Sequence, residues 1–197
     1  MKNKNLDAKR QLFHLLFGIL IVALLMHGFL AEIHVFFLII IGVTVSFLSK
    51  KYKIPVTYWF MKNFEREKDL KDFPGKGIIF YLIGVFLTLS FFPLDIAMPS
   101  ILVLAFGDSV SHLFGATYGK IKHPFTDKKF LEGMIMGFIA AFIGAKFFLP
   151  WHEALIASFF AMVAEGIEMK IGAEQIDDNI VMPLVAAIVI SFTRLLI

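Results

Sequence analysis

Apolar residues occur along the chain in long blocks that are separated by short charged or turn-forming segments. A helix needs about 20 mostly apolar residues to cross the hydrocarbon core of a bilayer, and seven blocks come close to that length. The pattern therefore predicts seven transmembrane helices, over residues 12–29, 33–49, 77–92, 96–114, 131–149, 153–169 and 180–197. The fourth is the least apolar, because it contains Asp108, Ser109 and Ser111.

The composition favours a membrane protein over a soluble one. Hydrophobic residues make up 58% of the chain and charged residues 18%, whereas a soluble domain has about 45–50% and about 25%. The expected fold class is all-α, a polytopic transmembrane helical bundle that forms a single domain over residues 1–197. Cysteine is absent, which excludes disulfides and thiolate metal sites. No small-residue cleavage site follows the first apolar block, so no cleaved signal peptide is expected.

The basic residues lie on alternate connections between the predicted helices. Four precede the first helix, eight follow the second, four follow the fourth and one follows the sixth, while only Lys146 and Arg194 lie on the opposite side. Basic residues concentrate in cytoplasmic connections. We therefore expect a cytoplasmic N-terminus and an outer C-terminus. The net charge of +3 reflects this membrane topology, and no nucleic-acid partner is expected.

The longest connection, residues 50–76, combines apolar and charged positions. Pro55 suits the first turn of a helix, and the apolar residues after it recur at helical spacing. We interpret this segment as an amphipathic helix at the interface of the inner leaflet. The alternative is a charged loop anchored by Trp59. The apolar positions are Val56, Trp59, Phe60 and Phe64.

One set of ionisable and amide residues in or beside the predicted helices falls near the cytoplasmic ends. Charged groups inside a bilayer are costly and usually functional. A helix rises about 1.5 Å per residue, so these residues are expected to share one layer near the inner headgroups. The set comprises Arg10, His14, Asp108, Glu132, Glu165, Glu168, Asp177, Asp178 and Asn179.

The segment 107–120 combines a carboxylate, two glycines and a lysine. Asp108 is a ligand type suited to Mg²⁺, Gly115 and Gly119 would let a ligand approach the backbone, and Lys120 supplies a cation. Together they suit a polyphosphate, although the spacing is not that of a P-loop. The alternative is that the glycines pack helices closely and that Asp108 pairs with a basic residue.

Two lysines precede the fifth predicted helix. Lys128 and Lys129 at a helix N-terminus are unfavourable unless an anion lies there. Glu132 offsets part of this charge, and a nucleotide phosphate would offset the rest. The alternative is the usual basic flank of a membrane span, which does not explain Gly133.

Acidic and amide side chains lead into the last predicted helix. Asp177, Asp178 and Asn179 form a cluster of oxygen ligands suited to Mg²⁺. Capping the helix needs only one of them. Pro183 then lies early in the helix, where it opens the first turn or kinks it.

In order along the chain, these segments resemble the CTP-dependent polyprenol/dolichol kinase family, which includes phytol kinases and CTP-dependent diacylglycerol kinases. The resemblance covers residues 10 to about 187 and depends on the ordered set rather than on any single motif. Asp178 and Asn179 with the following Pro183 are its most characteristic part. The matching residues are Arg10, His14, Asp108, Gly115, Gly119, Lys120, Lys129, Glu132, Gly133, Glu165, Glu168, Asp178, Asn179 and Pro183.

The chain departs from the family pattern at three positions. Phe130 and Met134 stand where the family commonly has serine, and Ser111 stands where alanine is common. A phosphate contact from a hydroxyl at position 130 would therefore be missing.

The resemblance implies transfer of the γ-phosphate of a nucleoside triphosphate, typically CTP, to the hydroxyl of a membrane lipid alcohol, with Mg²⁺ as cofactor. Polyprenol, dolichol, phytol or geranylgeraniol, and diacylglycerol are the acceptor candidates. The site would face the cytoplasm, from the plasma membrane if the protein is prokaryotic. The base for the lipid hydroxyl is open between His14, Glu165 and Glu168. From the residues alone, Glu165 and Glu168 could also hold a metal, orient a lysine, or pair with Lys170 or Arg10.

The residue roles that the resemblance implies fall into three groups. The catalytic group comprises Asp108, Lys129, Glu132, His14 and Glu168; the nucleotide-binding group comprises Gly115, Gly119, Lys120, Lys129, Asn179 and Arg10; and the metal-binding group comprises Asp108, Asp178 and Asp177.

Two other functions remain open on the sequence. A CDP-lipid synthase would also need membrane helices, Mg²⁺ and acidic residues. A small transporter predicts polar residues distributed through the membrane depth, whereas the outer halves of the predicted helices are nearly free of charge.

Overall fold

The described chain is predominantly helical, as the apolar blocks predict. The computed structural model describes residues 2–52, 59, 63–64, 67–167, 170–171 and 174–196. Two short antiparallel hairpins, β1–β2 and β3–β4, accompany the helices. The helices in these ranges are α1 Lys2–Met26, α2 Glu32–Lys51, α3 Glu67–Asp72, α4 Lys76–Phe91, α5 Leu94–Tyr118, α6 Leu131–Lys146, α7 Trp151–Gly166 and α8 Asp178–Leu196. The strands are β1 Lys122–His123, β2 Thr126–Phe130, β3 Lys170–Ile171 and β4 Glu174–Gln175.

Each of the seven predicted helices has a counterpart, but their lengths differ. Four are long and apolar enough to cross a membrane, over Asn5–Met26, Glu32–Lys51, Leu94–Tyr118 and Asp178–Leu196. The helix Lys76–Phe91 is apolar but shorter. Helices α6 and α7 have 16 residues each, which corresponds to about 24 Å at the usual helical rise. Length and composition thus support four spans, and the count of seven stays a prediction.

Helix α5 lies at the centre of the bundle. Of its apolar window, 67% is buried within the protein, against 28% for α1 and 11% for α2. Helix α5 packs on α1, α4, α6, α7 and α8, whereas α2 packs on α4. The helix that carries Asp108 is therefore shielded from the surroundings by its neighbours.

Small residues let α5 and α6 approach closely. A Cβ atom on Gly133 would lie 2.6 Å from the Ser111 carbonyl oxygen, and one on Gly137 would lie 2.8 Å from the Gly107 carbonyl oxygen. Small residues have this role in membrane helices, where backbone proximity replaces the hydrophobic effect between helices. A second close approach joins α4 to the start of α8, where a Cβ atom on Gly84 would lie 2.0 Å from the Asn179 carbonyl oxygen.

The hairpin β1–β2 connects α5 to α6 and folds over the end of α7. The His123 ring is buried and lies against Gly166, where an added Cβ atom would come within 2.3 Å of the ring. The His123 Nε2 atom also lies 3.2 Å from the Met134 sulfur. These contacts fix strand β2 beside the C-terminal end of α7.

An ion-pair cluster joins three helix ends on the other side of the bundle. Arg194, near the end of α8, donates from Nε to Glu153 Oε2 at 3.0 Å and pairs through Nη1 with Asp95. Asp95 and Glu153 lie in the first turns of α5 and α7. Arg194, Asp95 and Glu153 therefore partly neutralise one another. None of them belongs to the polar cluster around Lys129.

The predicted interfacial helix falls largely outside the described residues. Val56 and Phe60 lie outside them, and Trp59, Asn63, Phe64 and helix α3 are described. The Phe64 ring lies 5.3 Å from the Phe13 ring of α1. The amphipathic helix over residues 50–76 therefore stays a prediction.

Candidate active site

Lys129 is the centre of the most strongly connected polar cluster among the described residues. Strand β2 carries it between the last turn of α7 and the first residue of α8. Its Nζ atom lies 2.8 Å from Glu165 Oε1, 2.6 Å from the Glu165 carbonyl oxygen and 2.7 Å from Asp178 Oδ2. Burial alone would lower the pKa of Lys129, but the two carboxylates outweigh it and raise that pKa. The ammonium is therefore charged at neutral pH.

Asp108 and His14 form a second pair, between α5 and α1. His14 Nε2 lies 3.7 Å from Asp108 Oδ2, and the two side chains are 14% and 15% exposed. The Nε2 atom is buried and has no hydrogen-bond partner among the described residues. The pair thus presents a carboxylate and an imidazole nitrogen close to each other.

Three carboxylates converge where these two pairs meet. One oxygen each from Asp108, Glu165 and Asp178 lies within 4.8 Å of the others. Hard oxygen donors gathered in this way suit Mg²⁺. Ser111 also donates a 3.4 Å hydrogen bond to Glu165 Oε1. The sequence predicted Asp108 and Asp178 for a metal, and the structure brings Glu165 to the same place.

Asp177 has a different position from its neighbour Asp178. Its Oδ1 atom accepts hydrogen bonds from the backbone N–H of Asn179 at 3.1 Å and from the Asn179 side chain at 2.7 Å. Burial raises the pKa of Asp177, and these two hydrogen bonds act in the opposite direction. Asp177 therefore shapes the start of α8 and is not one of the three converging carboxylates, so its predicted role as a metal ligand has no counterpart in that cluster.

A cavity of about 240 Å³ opens beside this cluster. Its lining combines basic groups, carboxylates and aromatic rings from α1, α3, α4, α5 and the start of α8. The buried Asn179 Oδ1 atom has no hydrogen-bond partner among the described residues, so an acceptor remains open here. The polar lining residues are Arg10, Gln11, His14, Asp69, Lys76, Tyr81, Asp108, His112, Asp177, Asp178 and Asn179.

Arg10 is the predicted nucleotide-binding residue that α1 contributes to this cavity. Its Nη2 atom lies 3.5 Å from His112 Nε2, and its Nη1 atom lies 3.4 Å from Asp7 Oδ1. Its guanidinium therefore faces α5 close to Asp108. Glu168, the other predicted residue at the end of α7, lies outside the described residues.

Gly115, Gly119 and Lys120 do not line the cavity, although Asp108 and His112 of the same segment do. Gly115 is buried, and a Cβ atom there would lie 3.6 Å from the Gly133 Cα atom. Gly119 lies against the Phe130 ring, and the Lys120 side chain is exposed. Helix packing accounts for Gly115, which was the alternative that the sequence left open. Nucleotide binding by Gly115, Gly119 and Lys120 stays a prediction.

Glu132 holds the chain segment that follows α5. Its Oε1 atom accepts hydrogen bonds from the backbone N–H groups of Lys120 and Ile121, each at 3.2 Å. Its hydrogen-bond partners in the described part of the chain are thus backbone N–H groups and not the Lys129 ammonium. This contact fixes the connection between α5 and the hairpin.

Sequence reasoning missed five polar residues of the cavity lining, which are Gln11, Asp69, Lys76, Tyr81 and His112. Gln11 is buried at 4% exposure, and Lys76 had been counted only as a loop charge. Tyr81 is 1% exposed, packs edge-on against the His14 ring at 4.6 Å, and has no hydrogen-bond partner for its hydroxyl among the described residues. Tyr81 stands inside an apolar block, so no sequence pattern distinguished it from a packing residue.

The fold and the site together define a helical membrane protein with a charged cavity at one end of its bundle. The chain belongs to the family of CTP-dependent lipid kinases. It is 32% identical over 184 residues to an uncharacterized protein of Methanocaldococcus jannaschii, covering 92% of this chain and 91% of that protein. No family model and no solved structure matches the chain.

Relatives with named activities match over a shorter range. CTP-dependent diacylglycerol kinase 1 of Schizosaccharomyces pombe is 29% identical over 129 residues, covering 56% of this chain and 57% of that protein. Phytol kinase 1, chloroplastic, of Arabidopsis thaliana is 28% identical over 123 residues, covering 55% and 40%. The matches thus span about half of the length of these kinases.

We expect Lys129→Met to destabilise the protein, because Glu165 is only 3% exposed and would lose its cation. Removing one partner of a buried ion pair costs about 3–5 kcal/mol. Thermal unfolding in detergent measures the effect, with Lys128→Met on the exposed neighbouring position as the control. Equal melting temperatures for the two variants would contradict the role given to Lys129.

Proposed function

We propose that the protein is a lipid kinase that transfers the γ-phosphate of CTP to the hydroxyl of a membrane lipid alcohol. The observation that carries the proposal is the convergence of Lys129 with Asp108, Glu165 and Asp178 beside a cavity at the ends of apolar helices. The relatives named CTP-dependent diacylglycerol kinase and phytol kinase support the donor and the reaction class. The acceptor is a polyprenol, dolichol, phytol, geranylgeraniol or diacylglycerol.

The proposed topology has seven spans, with the N-terminus in the cytoplasm and the active site facing it from the plasma membrane. The distribution of basic residues supports this orientation. The hairpin β1–β2, the start of α8 and the N-terminal part of α1 would then lie on the cytoplasmic side. A water-soluble nucleotide and a bilayer-held alcohol can meet only at such a boundary.

The three converging carboxylates fit a divalent cation. Asp108, Glu165 and Asp178 would hold Mg²⁺, which when bound neutralises the charge of the transferred phosphoryl group. Two of them now accept hydrogen bonds from the Lys129 ammonium. The ammonium and a metal ion therefore compete for the same oxygens.

Positive groups and open acceptors of the cavity suit a nucleoside triphosphate. Arg10 and Lys76 would bind phosphates, and Asn179 has an acceptor oxygen available for a donor group of the ligand. Phosphoryl transfer relies mainly on such positioning and charge stabilisation. Glu132 serves indirectly, by holding the segment after α5 in place.

His14 is the base that the contacts favour. In its neutral form it accepts the proton of the lipid hydroxyl at Nε2 while the hydroxyl oxygen bonds to the γ-phosphorus. The bond from that phosphorus to the bridging oxygen breaks, and the nucleoside diphosphate leaves. Asp108, 3.7 Å away, stabilises the imidazolium that forms.

Labelled CTP tests the reaction directly. With purified protein in liposomes that contain one lipid alcohol at a time, we expect label from the γ-phosphate in the lipid product. Label from the α-phosphate or the cytosine in lipid would instead identify a CDP-lipid synthase. Movement of a solute without nucleotide, and no labelled lipid, would identify a transporter. Unlabelled ATP, GTP and UTP as competitors define the donor preference.

We expect Asp108→Asn to lower lipid phosphorylation by about 100-fold or more, because it removes a charge from the reacting centre. Asp127→Asn on the exposed part of β2 is the matched control and should keep full activity. Initial rates at saturating CTP, with circular dichroism to verify folding, make the comparison. Wild-type rates in Asp108→Asn would refute its role.

We expect Lys129→Met to bind Mn²⁺ about tenfold more tightly than the wild type in the absence of nucleotide, because a competing positive charge is removed. Electron paramagnetic resonance of free Mn²⁺ measures this affinity without any turnover. Lys128→Met, which changes the net charge equally, should leave the affinity near the wild-type value. An unchanged affinity in Lys129→Met would show that the ammonium and the metal do not share ligands.

A further inference from the structure

A second cavity, of about 370 Å³, lies on the outer side of α1. It is bounded by α1 and by the described residues 59, 63 and 64. Leu12, Leu16 and Trp59 in its lining are 53%, 55% and 62% exposed. Asn63 donates a 2.7 Å hydrogen bond to the Trp59 carbonyl oxygen, which holds these two residues together. We refer to this second cavity as the lateral groove.

The lateral groove adjoins the polar cavity of the active site. Phe13 and Phe64 line both of them, and their rings lie 5.3 Å apart. The Phe13 ring also stacks on the Phe17 ring at 5.5 Å, and Phe17 lines the polar cavity. A pair of aromatic rings is thus the boundary between an apolar space and a charged one.

Helix α1 presents a different chemistry to each side of this boundary. Leu12 and Leu16 are four residues apart and therefore share the face that lines the groove. His14 lies between them in sequence and lines the polar cavity beside Asp108. Along the helix axis His14 is within about 3 Å of either leucine, since each residue rises about 1.5 Å. A molecule in the groove therefore lies at the same height along the axis of α1 as His14, the proposed base.

The lining of the groove suits a hydrocarbon chain with a polar end nearby. Its wall consists of leucine and aromatic side chains, with Lys9 and Asn63 as the polar members. Lys9 lies one turn before Leu12, toward the proposed cytoplasmic surface. A chain in this groove would remain in contact with the bilayer while its hydroxyl reached between Phe13 and Phe64.

We propose that the lateral groove binds the hydroxyl-proximal part of the acceptor's hydrocarbon chain, and that Phe13 and Phe64, whose rings are in contact, separate to let the hydroxyl reach His14. This inference rests on the proposed kinase function. It assigns the acceptor side of the reaction to α1 and to Trp59, Asn63 and Phe64, and leaves the donor side to the basic groups of the polar cavity.

A photoreactive alcohol tests the assignment without turnover. The probe is a long-chain primary alcohol with a diazirine near its hydroxyl end, added to wild-type protein in liposomes and irradiated. We expect the labelled peptides to come mainly from the N-terminal half of α1 and from residues 59–64. Labelling spread evenly over the lipid-facing helices would mean that only bulk lipid contacts this surface, and would overturn the proposal.

Substitution of Leu16 provides a second test of the lateral groove. Leu16→Trp narrows the groove, so we expect kcat/KM for geranylgeraniol to fall about tenfold or more, a loss typical of an altered apolar pocket. The KM for CTP should change little, because the nucleotide is assigned to the polar cavity. Ile41→Trp on the exposed face of α2, where Ile41 is 57% exposed, is the matched control. Equal effects of the two tryptophans would overturn the proposal.

The two experiments distinguish a failure of the groove assignment from a failure of the proposed kinase function. Probe labelling confined to α1 and residues 59–64 in a protein that phosphorylates no alcohol would support the groove and refute the kinase. Phosphorylation of lipid with labelling elsewhere would support the kinase and refute the groove.

Discussion

The charged end of the bundle depends on one partly buried ammonium, that of Lys129. Asp108, Glu165 and Asp178 bring carboxylate oxygens within 4.8 Å of one another, and like charges at that spacing repel unless a cation lies among them. Lys129 Nζ supplies that cation and also bonds to the Glu165 carbonyl oxygen at the end of α7. One side chain therefore connects β2, α7 and α8, and sets the distances within the cluster that we interpret as an active site.

Close packing elsewhere in the bundle is what lets Lys129 reach these partners. The glycines at the contact of α5 with α6 bring Asp108 toward strand β2, and Gly166 leaves room for the His123 ring that holds the hairpin on α7. Gly84 brings the start of α8 against α4. At each contact a glycine, by having no side chain, lets the neighbouring group approach closely, and no additional hydrogen bond is involved. This is how membrane helices gain close association without a hydrophobic driving force between them.

The sequence predicted the helical elements well, because block length is a local property. Several of its predicted polar residues, among them Arg10, His14 and Asp108, line one cavity, whereas their common depth in a membrane stays a prediction. The sequence could not identify Glu165 as the partner of Lys129, since the two residues are 36 positions apart and helix α6 lies between them in the chain. It also treated Asp177 and Asp178 alike, although one turns toward Asn179 and the other toward Lys129. Tyr81 was missed for a similar reason, because a tyrosine in an apolar block acquires a polar neighbour only when helices pack.

The two cavities beside α1 would let the bundle bring together two substrates of different chemistry. A water-soluble phosphate donor needs a charged, partly enclosed space, and a lipid acceptor needs an apolar space open to the bilayer. A single wall can serve both only if its two faces differ in chemistry and it is thin enough for a hydroxyl to pass. Helix α1 has both properties, since it places Leu12 and Leu16 on one face and His14 on another within one helical turn. The contact between Phe13 and Phe64 would then exclude water from the reacting centre while it opens for a lipid hydroxyl, which favours transfer to the lipid over hydrolysis of the nucleotide.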